Sequence, residues 1–240
     1  MELYGEQHST VATVYYQIGV TQSNIKEYSL SFESLQRALD IRLKLHGEIH
    51  ESRAKCYKAI GSMQHKMGDY TSAIKSLYSA LDVRVKLHGE AHSTTANCYY
   101  SIGVVQYNIR DYAAALLSQN RALDIMLKLG MEEHSEAADC YYLIGITHIK
   151  MGDHESALES HRRALDIRLK LHGEEHETTA NSFFQMGTTQ FNMGDYSSAL
   201  QSHQRGLDIR LKLHGEHHST TVDSYTQIGI TQKKLNDHTA

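Results

Sequence analysis

Histidines are the residues with the clearest potential for chemistry, since the chain of 240 residues contains 17 of them. On one face of a helix, two histidines four residues apart can chelate zinc. Pairs with that spacing include His46 and His50, His88 and His92, and His172 and His176. A Gly-Glu turn interrupts each pair, however, and the order H-G-E-x-H differs from the H-E-x-x-H of zinc proteases. We therefore expect these histidines to cap helix ends or to pack between linkers. We expect no metal and no cofactor, and adventitious metal binding is the alternative.

Catalytic motifs are absent from the sequence, which contains no G-x-S-x-G, G-x-x-x-x-G-K-[ST] or C-x-x-C pattern. Its serines, histidines, aspartates and cysteines fall in columns that recur along the chain. An active site needs a unique constellation in a closed pocket instead. We therefore predict that the protein is not an enzyme. A metal-dependent enzyme stays as an alternative that metal analysis would test.

The cysteines are evenly spaced at Cys56, Cys98 and Cys140. An odd, periodic set does not indicate a disulfide framework, and equivalent positions in stacked repeats lie too far apart to be bridged. Serines occupy the same column at Ser182 and Ser224, which indicates a packing role. We expect reduced, buried side chains in an intracellular protein.

Charge and composition narrow the classes of partner. The formal net charge is −4 and the isoelectric point is near 6.5, whereas nucleic-acid-binding domains are usually basic. No apolar run approaches the roughly 20 residues of a membrane span, and we see no secretory leader. We therefore expect a cytoplasmic protein that binds neither nucleic acid nor membranes. Proline is absent, which favours a chain that is helical nearly throughout.

An internal repeat of 42 residues organises the sequence. The string LDIRLKLHGE begins at Leu39, Leu165 and Leu207, and diverged copies begin at Leu81 and Leu123. Two columns keep this period without a gap: His8, His50, His92, His134, His176 and His218, and Gly19, Gly61, Gly103, Gly145, Gly187 and Gly229.

Each repeat is predicted to form two helices. The first begins after the histidine, at Ser or Thr caps, and ends at a break such as Met67–Asp69, where Gly ends one helix and Asp caps the next. The second carries Ala73, Leu77 and Ala80 at helical spacing and ends at a His-Gly-Glu turn. We expect five complete helix pairs and one closing helix, with about 80% helix against the usual ~35%.

These features resemble the tetratricopeptide repeat. The resemblance is carried by a bulky residue, an apolar residue and Gly on the first helix (Tyr99, Ile102, Gly103), by Gly194–Tyr196, and by two alanines seven apart on the second helix. The long period and the R-L-K-L-H-G-E-x-H linker are similar to those of kinesin light chains and nephrocystin-3-like proteins. The resemblance implies an all-α fold, a right-handed superhelical solenoid of antiparallel helix pairs.

The repeat register divides the chain into seven segments. Because a linker opens the chain and a helix-start signal closes it, we expect a piece cut from a longer natural array, or a designed or duplicated one. The segments are a linker remnant at 1–7, five repeats at 8–49, 50–91, 92–133, 134–175 and 176–217, and a closing half-repeat at 218–240.

Two columns depart from the family pattern. Glutamine replaces the expected tyrosine of the first helix, except at His148, and Leu, Gln or His replaces its aromatic partner on the second helix. If these columns face each other, Gln190 would bond to His203 and His148 to His161, because buried unpaired polar groups are costly.

The candidate binding surface lies on the first helices, because the resemblance places one face of each first helix along a concave groove. Six lysines and two aspartates on this face give it a charge opposite to that of the whole chain. Asparagine amides can bind a peptide backbone, and aromatic side chains supply contact area at low entropic cost. The candidate residues are Lys55, Lys58, His65, Lys66, Asn97, Tyr100, Tyr107, Asn108, Tyr142, Lys150, Asn181, Phe184, Phe191 and Asn192.

The sequence therefore predicts a non-catalytic interaction module for an extended or helical peptide with acidic and aromatic or leucine anchors. The dicarboxylate clamp of chaperone-binding relatives is absent, since Val20, Ser62, Val104, Ile146, Thr188 and Ile230 occupy that column. One alternative for the surface is an idle solvated face. The alternative for the molecule is a structural or self-assembling scaffold that stacks head to tail through exposed terminal helices.

Overall fold

The structure is a computed structural model that describes residues 8–47 and 49–239, the side chains of His46 and Thr239 excepted. The described residues form eleven helices and no strand, and they are 84% helical. This confirms the all-α prediction and the five helix pairs with one closing helix. None of these helices is both long enough and apolar enough to cross a membrane. The linker remnant expected at 1–7 lies outside the described residues.

The chain divides into two compact units between Leu129 and Gly130. The first unit contains three helix hairpins, and the second helix of each of its first two hairpins packs against the first helix of the next. The helices of this unit are α1 (Ser9–Asn24), α2 (Tyr28–His46), α3 (Glu51–Lys66), α4 (Tyr70–His88), α5 (Ser93–Asn108) and α6 (Tyr112–Lys128).

The second unit contains two hairpins and a closing helix. Its α8 packs against α9, and its α10 packs against α11, in the same arrangement as in the first unit. The helices of this unit are α7 (Ser135–Met151), α8 (His154–His172), α9 (Glu177–Asn192), α10 (Tyr196–His214) and α11 (Ser219–Thr239).

Polar side chains fix where the helices begin. The structure places the cap of the first helices one residue earlier than the predicted Ser or Thr, at the histidine itself. The Nδ1 atom of His92 accepts a hydrogen bond from the Thr94 amide at 3.2 Å, and His50 and His176 make the same bond. Four of the five second helices use aspartate as predicted: Asp69, for example, accepts from the backbone of Ser72 at 3.1 Å, whereas α2 begins after Glu27 without a side-chain cap.

The core lies where each second helix meets the first helices on either side of it. In the first unit, Ala73, Leu77 and Ala80 of α4 are buried together with Cys98 and Ile102 of α5. The three cysteines are buried and form no disulfide, as predicted, and burial raises the pKa of each thiol, for Cys140 to about 12. Their thiols are therefore neutral packing groups.

The periodicity is interrupted in the third linker, at the boundary between the units. Here Gly130 occupies the position of the linker histidine, with a φ of 70°, and α6 ends at Lys128 with 17 residues where the other second helices have 19. Met126 stands where the other linkers carry arginine. The diverged sequence from Leu123 to Glu132 thus coincides with the shortest second helix of the described chain.

Candidate functional site

The predicted binding residues all lie on first helices, and each is exposed or half-buried. We call them the first-helix face of each unit. In the first unit this face comprises Lys55, Lys58, His65, Lys66, Asn97, Tyr100, Tyr107 and Asn108, and in the second unit it comprises Tyr142, Lys150, Asn181, Phe184, Phe191 and Asn192.

Within each unit, buried arginines join a second helix to the first helix that follows it, beneath this face. The guanidinium of Arg168 donates to the Thr178 carbonyl at 3.1 Å and to Ser182 Oγ at 2.8 Å. In the first unit the second acceptor is a cysteine Sγ. The cysteine and serine column therefore supplies hydrogen-bond acceptors as well as packing. The same contacts are made by Arg42, Arg84 and Arg210.

The aromatic rings of the second unit's face are held from two sides. The Arg168 guanidinium lies 4.5 Å from the Tyr142 ring centroid. The Tyr142 and His161 rings meet edge to face, with their centroids 5.8 Å apart. Phe184 is held in the same way. The Arg210 guanidinium lies 4.6 Å from its ring centroid, and the ring centroid of the buried His203 lies 5.3 Å from it. Cation–π and edge contacts of this kind fix ring orientation. Burial raises the pKa of Tyr142, so its hydroxyl stays protonated.

On α3, Lys58 occupies the repeat position at which α1, α5, α7 and α9 carry an aromatic residue. Lys58 lies beside Arg84, and burial together with this second cation lowers the pKa of the lysine. Glu51 of the same helix pairs with Arg84 at 3.5 Å. In the part of the chain that the structure describes, no carboxylate pairs with the Lys58 ammonium. This position therefore favours an incoming anion.

Some of the predicted residues already bond to other side chains. Lys66 Nζ donates to Ser23 Oγ at 3.0 Å, and Asn108 bonds to His65 Nε2, so that neighbouring first helices are joined near their C-terminal ends. Burial and the adjacent Lys66 lower the pKa of His65, which keeps its ring neutral. Asn181 Oδ1 accepts from Arg210 at 2.7 Å. Its amide NH₂ is then the group that can donate to a ligand.

The predicted glutamine–histidine pairs are wrong. Gln190 Oε1 accepts from Ser202 at 2.6 Å, not from His203, and three other glutamines of this column accept from a serine twelve residues later. His148 lies 3.3 Å from Asp153. Both ring nitrogens of His161 and His203 are buried, with no hydrogen-bond partner among the described residues.

The linker histidines have structural roles. Besides capping, they stack in pairs, with ring centroids 4.4 Å apart for His88 and His92 and 4.2 Å apart for His172 and His176. This confirms the expected capping and packing for these two pairs. No group of three potential metal ligands occurs in the described ranges, and the side chain of His46 lies outside them.

Two features were missed in the sequence. One is the arginine column, whose period of 42 was visible in the recurring L-D-I-R-L-K string. The other is a series of clefts beside the linkers, which we call linker clefts. Each is bordered by a linker, the first helix that follows it and the second helix of that hairpin, and in the first unit the cleft is lined by Ile49, Arg53, Tyr57, Lys75, Tyr78 and Lys86 among others.

Solved structures show the same fold. BtubC from P. vanneervenii matches with a TM-score of 0.77 and 18% identity, over 88% of this chain and 84% of that one. Nearly identical tetratricopeptide-like repeats from Podospora anserina, described as belonging to a kinesin light chain, match with a TM-score of 0.73 and 14% identity, over 86% and 98%. Apo RapI matches with a TM-score of 0.74 and 18% identity, over 95% and 84%.

A family profile gives the assignment. No curated protein sequence matches the chain. The profile described as Tetratricopeptide repeat matches residues 10–83, 56–128, 110–170 and 136–212. These overlapping matches span most of the sequence, and the all-α solenoid class of the structural neighbours agrees with them. The chain therefore belongs to the tetratricopeptide repeat family.

Proposed function

We propose that this protein is a non-catalytic interaction module that binds a peptide with acidic and aromatic or leucine anchors on its first-helix faces. The observation that carries the proposal is the fixed orientation of Tyr142 and Phe184. Each ring is half-buried and held by an arginine and a histidine. Rings that are already ordered lose little entropy when a ligand packs on them.

The preference for acidic ligands follows from the lysines. Among the described residues no carboxylate pairs with Lys58, which lies next to Arg84, and Lys55 is exposed one turn earlier on the same helix. A ligand carboxylate placed here would form charge-assisted hydrogen bonds and relieve the repulsion between Lys58 and Arg84. In the second unit Lys150 is exposed, and Asp139 is already paired with Arg168 at 2.8 Å.

Family membership supports the general class of function. Tetratricopeptide repeats are generally non-catalytic modules for protein interaction. A Rap protein complexed with the competence and sporulation factor has a similar fold, with a TM-score of 0.66 and 17% identity, over 93% of this chain and 65% of that one. The peptide chemistry proposed here rests on the residues of this chain.

A displayed random-peptide library tests the proposal. The whole chain is immobilised, and the enriched sequences are compared with those from a variant carrying Tyr100→Ala, Tyr142→Ala and Phe184→Ala. We expect enrichment of acidic sequences with aromatic or leucine residues, and its loss in the variant. Tyr225→Ala, which removes an exposed tyrosine of α11, is the matched control. Enrichment that survives the triple change would remove the first-helix faces as the site.

The charge component has its own test. Lys58→Met should weaken an enriched acidic peptide, and the remaining affinity should depend less on salt, because one fewer cation takes part. Isothermal titration at two salt concentrations measures both effects. Unchanged affinity in Lys58→Met would contradict the electrostatic part and leave the aromatic part standing.

Self-assembly is the second candidate, and one observation favours it. Val14 and Ile18 on α1 are 51% and 40% exposed, whereas the residues one repeat later, Cys56 and Ile60, are buried. An apolar helix face of this kind would pack against a helix of another copy. Light scattering against concentration distinguishes the two candidates, since a concentration-dependent mass that Ile18→Glu abolishes would favour the scaffold.

A further inference from the structure

In the linker clefts of the second unit, glutamates of the linker form ion pairs with basic side chains of the second helix. Lys170 pairs there with Glu133 of its linker, and Lys212 pairs with Glu175 at 2.6 Å. Arg205 reaches Glu174 at 3.6 Å. These ion pairs are exposed and contribute little to stability. Their geometric effect is that linker carboxylates occupy the basic wall of each cleft.

One of these carboxylates is missing from the linker beside the first unit's cleft. Ile49 stands at the position of Glu133 and Glu175, and Ser79 stands at the position of Arg205. The cleft is larger, at about 580 Å³ against 350 and 210 Å³ in the second unit. The substitution of Glu by Ile therefore leaves this cleft open.

Lys86 is the equivalent of Lys170 and Lys212, but Ile49 stands where they have a linker glutamate. Lys86 pairs with Asp82 of its own helix at 2.7 Å, and both side chains are more than half exposed. Lys75 adds a second exposed lysine to the lining. Asp82 is the one acid among the described residues that line the cleft, so this described lining carries a net positive charge.

An apolar surface lies beside these cations. Ile49 is 51% exposed and Tyr78 is 47% exposed. Arg53 is buried at the base of the cleft, where it donates to Tyr57 Oη at 3.1 Å and to the Gly47 carbonyl at 3.1 Å. The base of the cleft is therefore fixed, while its rim offers uncovered apolar area next to positive charge.

We propose that the linker cleft of the first unit is a second binding site, which takes an acidic peptide segment. A carboxylate of the segment occupies the place that Glu133 and Glu175 fill in the second unit and pairs with Lys86. An apolar side chain of the segment packs against Ile49 and Tyr78. This site is separate from the first-helix faces and does not depend on binding there.

The second unit also indicates that the occupant is a peptide. One of its clefts is lined by two successive linker glutamates, Glu174 and Glu175, which pair with basic side chains of the cleft and are carried on an ordinary backbone. An external Glu-Glu segment can present to Lys86 the carboxylate that Glu175 presents to Lys212, and Lys75 is the second exposed cation of the lining. The cleft is open enough to admit a backbone as well as a side chain.

The probe is the acetylated and amidated peptide Glu-Glu-Leu-Phe, titrated into the isotope-labelled whole chain and followed by amide chemical shifts. We expect saturable shifts within residues 49–57 and 75–86. Ile49→Glu, which supplies the missing carboxylate, should weaken the peptide at least tenfold, whereas Ile49→Leu should keep its affinity within about twofold. Tyr78→Gln introduces the residue that α10 of the second unit has at the equivalent position, Gln204. This change should weaken peptide binding about fivefold and leave the fold intact.

Three controls make the outcome decisive. The peptide Gln-Gln-Leu-Phe should not bind, and free acetate should not shift the same amides. The triple variant of the first-helix faces should leave the cleft shifts unchanged, which separates this site from the proposed function. Absence of saturable shifts, shifts confined to the first-helix faces, or equal affinity in Ile49→Glu would each overturn the proposal.

Discussion

The ring of His161 lies directly against the backbone of Gly145, where an added Cβ atom would come within 2.5 Å of the ring. His203 and Gly187 repeat this contact at 2.7 Å. Both rings are fully buried. In the first two hairpins leucines occupy the same position against the same glycine column. In the five hairpins the glycine column, from Gly19 to Gly187, is thus explained by close approach of the two helices.

Gly145→Ala is expected to destabilise the protein by about 1–3 kcal/mol, because the new methyl group would overlap a buried ring that has no room to move. Urea unfolding monitored by circular dichroism measures the change. Gly229→Ala is the matched control, since nothing lies within 4 Å of its added Cβ. Alanine there should be neutral or stabilising by up to about 1 kcal/mol, since glycine weakens a helix interior. Equal losses in both variants would contradict the close-contact explanation.

The buried histidines should make stability fall in mild acid. Burial, and then the adjacent Arg168 or Arg210, lowers the pKa of His161 and His203 from 6.5 to about 4. The unfolded chain therefore takes up protons from about pH 6.5 downward, whereas the folded chain does so only near pH 4. Stability is lost as pH falls through this window, by about 2 kcal/mol per histidine between pH 7.5 and pH 5.

Comparison with a double variant isolates this effect from other titrations. His161→Leu with His203→Leu places leucine where Leu35 and Leu77 stand in the first unit. The variant should be more stable than the parent at both pH values, and the difference should widen at pH 5. His217→Gln, which removes an exposed histidine, is the control for the loss of a histidine side chain. A constant difference between parent and double variant would show that these rings do not carry the acid sensitivity.

The helix boundaries were predictable because the same break recurs in copy after copy. Which side chains meet across a hairpin was harder to predict. The sequence suggested that Gln190 faces His203, yet its partner is Ser202, one residue earlier. A shift of one residue turns a side chain by about 100° around a helix. A column alignment alone does not resolve that difference.

In the candidate site, too, the positions of residues along the helices were predictable and their side-chain contacts were not. Its residues could be placed on the first helices from the repeat, and the structure finds all of them exposed or half-buried. The arginine contacts behind Tyr142 and Phe184 depend on how a second helix meets the next hairpin. The open linker cleft depends on a single replacement, Ile49 for glutamate, and on the ion pairs that this replacement removes. Neither follows from local periodicity.

The arginine column predicts unequal effects of two small changes at Cys98, whose Sγ lies 3.3 Å from the Arg84 guanidinium. Cys98→Ser should cost less than about 1 kcal/mol, because serine accepts the same bond from Arg168 and Arg210. Cys98→Val fills similar volume but removes the acceptor, and should cost about 1–3 kcal/mol more, since part of a buried guanidinium is left unsatisfied. Thermal unfolding of the two variants makes the comparison, and a smaller loss for valine than for serine would rule out the acceptor role.

The hairpin turns carry backbone strain at two positions. Arg110 has a φ of 65° and Lys26 a φ of 64°, where Gly68, Gly152 and Gly194 stand in the other hairpins with φ of 82–83°. A left-handed conformation costs a non-glycine residue about 1–2 kcal/mol, and a basic side chain at a helix C-terminus recovers part of that through the helix dipole. Arg110→Gly should therefore stabilise the protein by about 0.5–1 kcal/mol. The reciprocal change Gly152→Arg should destabilise it by a similar amount, since nothing lies near the added Cβ and only the backbone is strained. Urea unfolding measures the change in stability of each variant. A loss of stability in Arg110→Gly would show that the arginine side chain, not the turn conformation, dominates at this position.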